Sequence, residues 1–510
     1  MSDDRARVLV VGGGPAALAA AARLLERGGR ERVRVRLATM GHHFGGKADS
    51  WRDAEGRLID HGQHVIVGWY HEMKALLRRA GVDVDAHLVQ NQGHTFIYEP
   101  RDGRVHDLAL TRNPITMLVR GLGYSGLTGE EKANIAWFVI SNLRAFLGLQ
   151  DLEQFDDLCM TSWCLSNGLM PSIVKTNAFR MSRTGQLNWP GEISAYSLLQ
   201  AATTVAADYR SASYAFCDGG MSERFWEPLV RYISELGGEV QPMRKLTGFQ
   251  IENGRLTGAR FAAPDSAGHD LPSHPRGRSR FEHVVPIKPG SEEVDRDFDQ
   301  LICTVPATAF QELNPGDADF WRLPEMAKIR ELSGIAPLAL QIWHQAPLSR
   351  RYSSVIAGLD GPLGFVLDNK PIIREYRQDP RYGSVLYFVG QETGCEDWSD
   401  DALLAQCLDN VARLPGFEAI DRAGIIHSQV IRNRSVDKLY FNTEPGIQRF
   451  RPHKETSIAG LWLAGDWVRS ELDFPCMEAA IRSGIAAADA VLARGGEDQK
   501  NPRSRAGERL

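Results

Sequence analysis

Residues 7–29 read RVLVVGGGPAALAAAARLLERGG. A β-branched run, Val8 to Val11, meets a glycine cluster, and an alanine-rich stretch follows from Pro15 to Arg27. Proline suits the first turn of a helix, and Gly28 and Gly29 suit its end. VRVRLA, residues 33–38, then reads as a second strand. Strand, tight turn, helix, strand is the start of a βαβ unit. Gly12, Gly14 and Ala17 form G-x-G-x-x-A. The first position permits the tight turn and the second lets the backbone approach a pyrophosphate. The third keeps the helix close to its strand. The helix N-terminus adds free N–H groups and a positive dipole end. An ordinary glycine-rich turn is the bland alternative, and the strand-to-helix context argues against it. The second strand should end in an acid for the ribose hydroxyls. Thr39 stands there instead, a neutral and weaker partner.

Outward from this turn, 510 residues allow two or three domains or one large α/β assembly. With 43% apolar residues, 24% charged and a net charge of −5, the chain reads as soluble and globular. It lacks the basic excess of a nucleic-acid binder. No apolar run long enough to span a bilayer is seen, and the N-terminus lacks a secretory signal. Seven scattered cysteines without C-x-x-C read as reduced cytosolic thiols. A cytoplasmic location is therefore expected.

The remaining chain alternates α and β. Residues 111–170 are expected to be mainly helical, with 130–149 (EEKANIAWFVISNLRAFLGL) the best amphipathic stretch. A hairpin turn is expected at Asn253-Gly254. Residues 262–298, rich in Pro, Ser, Arg and Asp, read as a loop insertion. GLWLAGDW supplies a late strand, FPCMEAAIRSGIAAADAVLA the last helix, and 496–510 a disordered tail.

Downstream of the second strand come HHFGGKADSW and IDHGQHVIVGWYH. His61, His64 and His71 raise the question of a metal site. Ligation needs convergent geometry and usually acidic or thiol partners, so no metal is expected. Here the chain resembles the flavin amine-oxidase superfamily, whose Gly-Gly-Arg is matched by Gly45, Gly46 and Lys47. The second segment resembles the G-x-H-x-x-x-G-x-Y of plant-type phytoene and ζ-carotene desaturases and the Gly-Gln-His of hydroxysqualene dehydroxylases. LWLAGDWVRSELDFPCMEAAIRSG is similar to the C-terminal flavin motif, with Ala479 in place of a glycine.

The resemblance implies an α/β fold: a Rossmann-like FAD-binding domain of the glutathione reductase/p-hydroxybenzoate hydroxylase type, interleaved with an α+β substrate domain. The FAD domain is expected over 1–110, 215–310 and 455–495, the substrate domain over 111–214 and 311–454. FAD is expected on Gly12, Gly14, Pro15, Ala17, Thr39, Gly45, Gly46, Lys47, Gly62, His64, Leu246, Gly465, Asp466 and Met477. Asp466 meets the ribityl or phosphate part, and N–H groups of residues 476–478 point at the pyrimidine edge. Alternation along the strand places His64 and Ile66 on one face and Val65 and Val67 on the other. His64 reads equally as a group beside the flavin or as a packing residue. His42, His43, His61 and His71 read as solvated.

His64 and Asp473 are the candidate catalytic residues, with Glu471 a further candidate base. Trp69, Tyr70, Trp189 and Trp467 are candidate channel walls. The expected activity is hydride transfer from a lipophilic, isoprenoid-like substrate to flavin N5, by desaturation or dehydroxylation. Two alternatives stand beside it. An oxygen-using amine oxidase is disfavoured by the lack of lysine in 335–345. A prenyl-binding GDI-like protein would hold no FAD. Peripheral membrane contact is expected through the stretch from about 114 to 150, where Ile115, Met117, Leu118, Val119 and Leu122 lie beside Arg112 and Arg120, unless these residues roof the substrate cavity.

Overall fold

The computed structural model describes residues 5–91, 94–109, 123–176, 179, 187–208, 213–265, 285–317, 319–352 and 355–500. At its centre lies a five-stranded parallel sheet. Its order is Glu239–Gln241, Val33–Ala38, Ala6–Val11, Gln300–Cys303 and Leu461–Leu463. The strand Ala6–Val11 is apolar without a break from Val8 to Val11 because both sheet faces are covered there. Val8 and Val10 pack with the helix Pro15–Gly28 and the last helix, Met477–Lys500. Leu9 and Val11 pack toward a small antiparallel sheet of Lys245–Glu252, Arg255–Ala262 and Glu293–Asp295. The alanines of the first helix have a purpose. A Cβ on Gly484 of the last helix would meet the Ala16 carbonyl oxygen at 2.1 Å, so the two helices touch backbone to backbone.

The hairpin turn lies at Asn253-Gly254, both with positive φ (51° and 71°), as a two-residue connection between twisted strands requires. The reading of 262–298 as one loop needs correction: Glu293–Asp295 is a strand paired with Arg255–Ala262, and 266–284 lie outside the described residues. The last helix also continues beyond residue 495, to Lys500, where the sequence suggests a tail. Residues 501–510 lie outside the described residues.

The second domain is built on a seven-stranded mixed sheet. Its order is Ile425–Arg432, Pro337–His344, Ser384–Gln391, Phe365–Asp368, Ile356–Ala357, His94–Glu99 and Arg104–Ala109. One face packs under the helix Asp400–Val411. The other carries Ala339, Trp343, Phe365, Tyr387 and Val389 in a separate core. The boundary expected at residue 110 is therefore too late. His94–Glu99 and Arg104–Ala109 close the edge of this sheet through pairing with Ile356–Ala357, a contact made across more than two hundred residues that no local pattern encodes.

A helical unit is attached to this domain: Gly129–Ser141, Leu143–Phe146, Met160–Ser166 and Pro171–Val174 share a core with Ala195–Ala207. Thr128 opens it with a capping box to Glu131. The amphipathic stretch 130–149 is helical but broken at Asn142, whose side chain bonds back to the Phe138 carbonyl.

Candidate active site

A cavity of about 680 Å³ runs from the glycine turn to the face of the seven-stranded sheet. Its size lies within the roughly 300–1,000 Å³ of small-molecule sites. At one end are Gly12, Gly14 and Thr39 with Arg244, Leu246 and Thr247. Gly12 has φ +132°, and a Cβ there would meet Thr304 Oγ1 at 2.1 Å. Gly46, at φ +62°, would place a Cβ 3.0 Å from the Gly14 Cα. The two glycine turns thus lie back to back, and Gly45 N–H donates to the Gly13 carbonyl at 2.8 Å. Ala17 is buried where the helix meets its sheet, and Pro15 opens the helix. Thr39 donates its hydroxyl to the Gly41 carbonyl. Thr247 Oγ1 is buried at this end and has no hydrogen-bond partner among the described residues. A backbone cradle, a helix N-terminus and an orphaned hydroxyl together fit the ADP half of a dinucleotide.

Midway, Lys47 Nζ lies 2.9 and 3.2 Å from the Asp466 carboxylate oxygens. Asp466 follows the strand Leu461–Leu463, and its carbonyl accepts from Arg451. Lys47 also sits 5.7 Å from the Tyr440 ring centre. Tyr440 donates its hydroxyl to the Pro475 carbonyl at 2.7 Å, holding the entry to the last helix. Gly465 donates its N–H to Ser483 Oγ on that helix.

The far end opens among His64, Trp69, Tyr70, Phe474 and Met477, with Val205 of the attached helical unit and Phe365 of the mixed sheet. The N-terminus of the last helix faces the cavity at Cys476 and Met477, bringing its positive dipole end there. Glu478, fully buried, turns away and accepts from the N–H groups of Glu72 and Met73 at 3.0 Å each. It thereby caps the helix His71–Arg79 and locks the Gly62–Tyr70 segment to the last helix. Burial, reinforced by nearby His61, pushes His64 down to about 4, so its imidazole is neutral at pH 7. Burial pushes the Cys476 thiol up to about 12, which keeps it from acting as a thiolate.

The structure brings Gly12, Gly14, Pro15, Thr39, Gly45, Gly46, Lys47, Gly62, His64, Leu246, Gly465, Asp466 and Met477 to the wall of this one cavity. Ala17 supports the helix from behind. Asp473 stands apart. Its carboxylate is held by Arg451, the Tyr196 hydroxyl and the Ser470 N–H, which makes it a structural anchor for the segment before the last helix. Glu471 and Trp189 are exposed, whereas Trp69, Tyr70 and Trp467 line the cavity.

The alternation drawn through His64 also needs correction. His64 precedes the strand Val65–Val67, so it lines the cavity together with Val65 and Val67, while Ile66 is core. His61 is not solvated. It is buried, with Nδ1 2.6 Å from Asn433 Oδ1 and Nε2 2.7 Å from Asp49 Oδ1. His42 and His43 are exposed, as is His71, which pairs with Asp208. Among the described residues no His, Cys, Asp and Glu cluster fits a metal ion.

Sequence reading missed the segment from Asn433 to Tyr440, which supplies much of the cavity wall. Its one visible signal is the opposite-charge pair Asp437-Lys438 set between Val436 and Leu439.

Residues 277–492 match the family of flavin containing amine oxidoreductases, and residues 10–80 match an NAD(P)-binding Rossmann-like domain. Over nearly its whole length the chain is similar to carotenoid desaturases. It is 25% identical to the 15-cis-phytoene desaturase of Synechococcus elongatus, covering 98% of each chain. It is 24% identical to the zeta-carotene desaturase of Synechocystis, over 96% of this chain and 97% of the other. Its fold is that of a putrescine oxidase (TM-score 0.66, 14% identity, 96% of this chain and 99% of the other). A putative protoporphyrinogen oxidase from Exiguobacterium sp. shares it as well (TM-score 0.62, 17% identity, 95% and 98%). The architecture is a Rossmann-like nucleotide domain joined to a separate mixed-sheet domain, consistent with a flavoprotein oxidoreductase fold.

Proposed function

We propose that the chain is an FAD-dependent oxidoreductase acting on a lipophilic, isoprenoid-like substrate by desaturation or dehydroxylation. One observation carries the reading. A single cavity joins the dinucleotide cradle to an apolar chamber floored by the substrate sheet and walled by the helix Ala195–Ala207. Gly12, Gly14, Gly46 and Lys47 would hold the phosphates, and Asp466 a hydroxyl of the connecting chain. The N-terminus of the last helix would stabilise negative charge at the pyrimidine edge. FAD, when bound, supplies a two-electron acceptor for hydride in desaturation, and in its reduced form a hydride donor in dehydroxylation, where the hydroxyl leaves as water. Trp69, Tyr70, Phe474 and Phe365 exclude water from the chamber, and neutral His64 offers a hydrogen-bonding nitrogen without bringing a charge into it.

Lys438 reaches the cavity wall but is committed to the Gly46 carbonyl and Asp49. It therefore gives no support to the amine-oxidase reading.

A peripheral membrane contact belongs to the same proposal. Of the stretch expected to make it, residues up to 122, with Ile115, Met117, Leu118, Val119 and Leu122, lie outside the described residues. The neighbouring helices expose Trp137 (66%), Ile140 (66%), Leu143 (46%) and Leu149 (61%) beside exposed Arg144. Their core is shared with Ala195–Ala207, which also lines the cavity at Ala201 and Val205. An apolar surface with a basic residue, one helix away from an apolar chamber, suits an anionic bilayer from which a lipid substrate is taken.

Purified protein is expected to be yellow, and acid precipitation to release the colour, because Cys476 is held as a thiol. Mass spectrometry of co-purified lipid is expected to find an isoprenoid. Colourless protein that takes up no FAD, or turnover of a water-soluble amine with none on any lipid, would overturn the reading.

A further inference from the structure

The strand Ile425–Arg432 leaves the substrate sheet and becomes an eight-residue run, Asn433 to Tyr440, along the cavity wall. It is tied down at Asn433, Val436, Asp437 and Lys438, and to different elements each time. Asn433 donates through Nδ2 to the carbonyls of His61 (2.9 Å) and Pro337 (3.2 Å). Those two carbonyls orient its amide, so Oδ1 faces His61 Nδ1. The Val436 carbonyl accepts from Thr308 Oγ1 at 2.6 Å. Asp437 accepts from Lys245 Nζ at 3.0 Å, at the start of the strand Lys245–Glu252. Lys438, itself buried, donates to the Gly46 carbonyl at 2.8 Å and to Asp49 at 3.2 Å.

The run folds on itself as well, with Lys438 and Leu439 N–H groups on the Ser435 carbonyl. The substrate domain thus reaches across and grips the nucleotide domain at three cofactor-facing places: the segment before His64, the adenine-side strand, and the second glycine turn. The last grip has the most direct consequence. Gly46 is packed against Gly14, so whatever fixes the Gly46 carbonyl fixes the spacing of the two turns that form the phosphate cradle.

We propose that Asn433–Lys438 is a cofactor-retaining strap. Lys438 is a positioning residue for the Gly45-Gly46 turn, and the Lys245–Asp437 and Asn433–His61 tethers hold the strap over the cofactor, which leaves only when they open. The proposal rests on the FAD reading.

The test uses full-length, FAD-loaded protein, with flavin release followed after dilution by the recovery of free-FAD fluorescence. Lys438→Met and Asp437→Asn are each expected to release FAD about tenfold faster, the order of effect for losing a hydrogen bond to a charged group. Lys438→Arg keeps donors for Gly46 and Asp49 and is expected to restore slow release, which a general loss of stability would not do. Unchanged release in Lys438→Met and Asp437→Asn, with native circular dichroism, overturns the strap and leaves the FAD reading standing. Wild-type protein that binds no FAD overturns both. If the variants do not fold, amide hydrogen exchange on the wild type decides. Residues 433–438 are expected to gain protection on FAD binding, and equal exchange with and without FAD refutes the proposal.

Discussion

At the scale of single residues, burial sets two titrations of opposite sign. His64 has its protonated form destabilised, down to about 4 from an ordinary 6.5. Between those values the unfolded chain binds the extra proton and the folded chain does not, so stability is full above pH 6.5 and falls as pH drops toward 4. Denaturant unfolding across this range is expected to show a shallower acid loss for His64→Gln than for wild type, and identical slopes would contradict the burial argument. Asp60 is the reverse case. Burial, then repulsion from Asp49, pushes its carboxyl up to about 8 from 3.8. The folded chain holds this proton longer, so the contribution is complete below pH 3.8 and is lost as pH rises through 8. Asp60→Asn is therefore expected to gain stability over wild type at about pH 9 relative to about pH 6. Asp466→Ala removes the partner of Lys47 and leaves a charge unpaired at the cavity wall, a cost of about 1–3 kcal/mol. The variant is expected to stay folded by circular dichroism and to lose flavin, whereas wild-type flavin content would remove Asp466 from the site.

At the scale of elements, the last helix is held by what it lacks and by what it lends its neighbours. Gly484 has no side chain, so the helix can touch the Ala16 carbonyl; Gly484→Ala forces apart two backbones and is expected to lower the melting temperature by several degrees. Glu478 lends its carboxylate to the helix His71–Arg79. Glu478→Ala is expected to cost about 0.5–2 kcal/mol as a lost cap, read as a lower unfolding midpoint. A variant as stable as wild type would show that the cap is idle. These elements also mark what local sequence discloses. The strand-turn-helix at Ala6–Gly28 was legible because glycine, proline and alanine act on their nearest neighbours. The Asn253-Gly254 turn was legible for the same reason. The edge strands His94–Glu99 and Arg104–Ala109 were assigned to the wrong domain because their partner is distant in sequence. Most of the residues that motifs single out fall on the wall of one cavity. Asp473 could not be judged that way, since only the fold reveals that Arg451 and Tyr196 occupy its carboxylate. Buried His61 and the Asn433–Lys438 run escaped for the same physical reason: their roles are made by contacts between domains.

At the scale of the whole molecule, cradle, chamber and exposed helical surface lie in series, and each makes a demand on the next. A lipid-facing surface is useful only if the chamber beyond it takes lipid. Flotation with anionic liposomes is expected to carry wild-type protein, and Trp137→Asp with Ile140→Asp to stay behind; equal flotation of both would remove the exposed helices from the contact. The central claim is that the cavity couples a bound flavin to an apolar substrate. Its most direct test is anaerobic mixing of FAD-loaded protein with a panel of isoprenoids in detergent and with soluble amines, following the absorbance of oxidised flavin. For desaturation the expected result is bleaching by an isoprenoid and none by the amines. For dehydroxylation, the photoreduced enzyme is expected to regain its colour on an isoprenoid alcohol in the absence of oxygen. Bleaching by amines alone, or no response to any isoprenoid in either direction, would contradict the account.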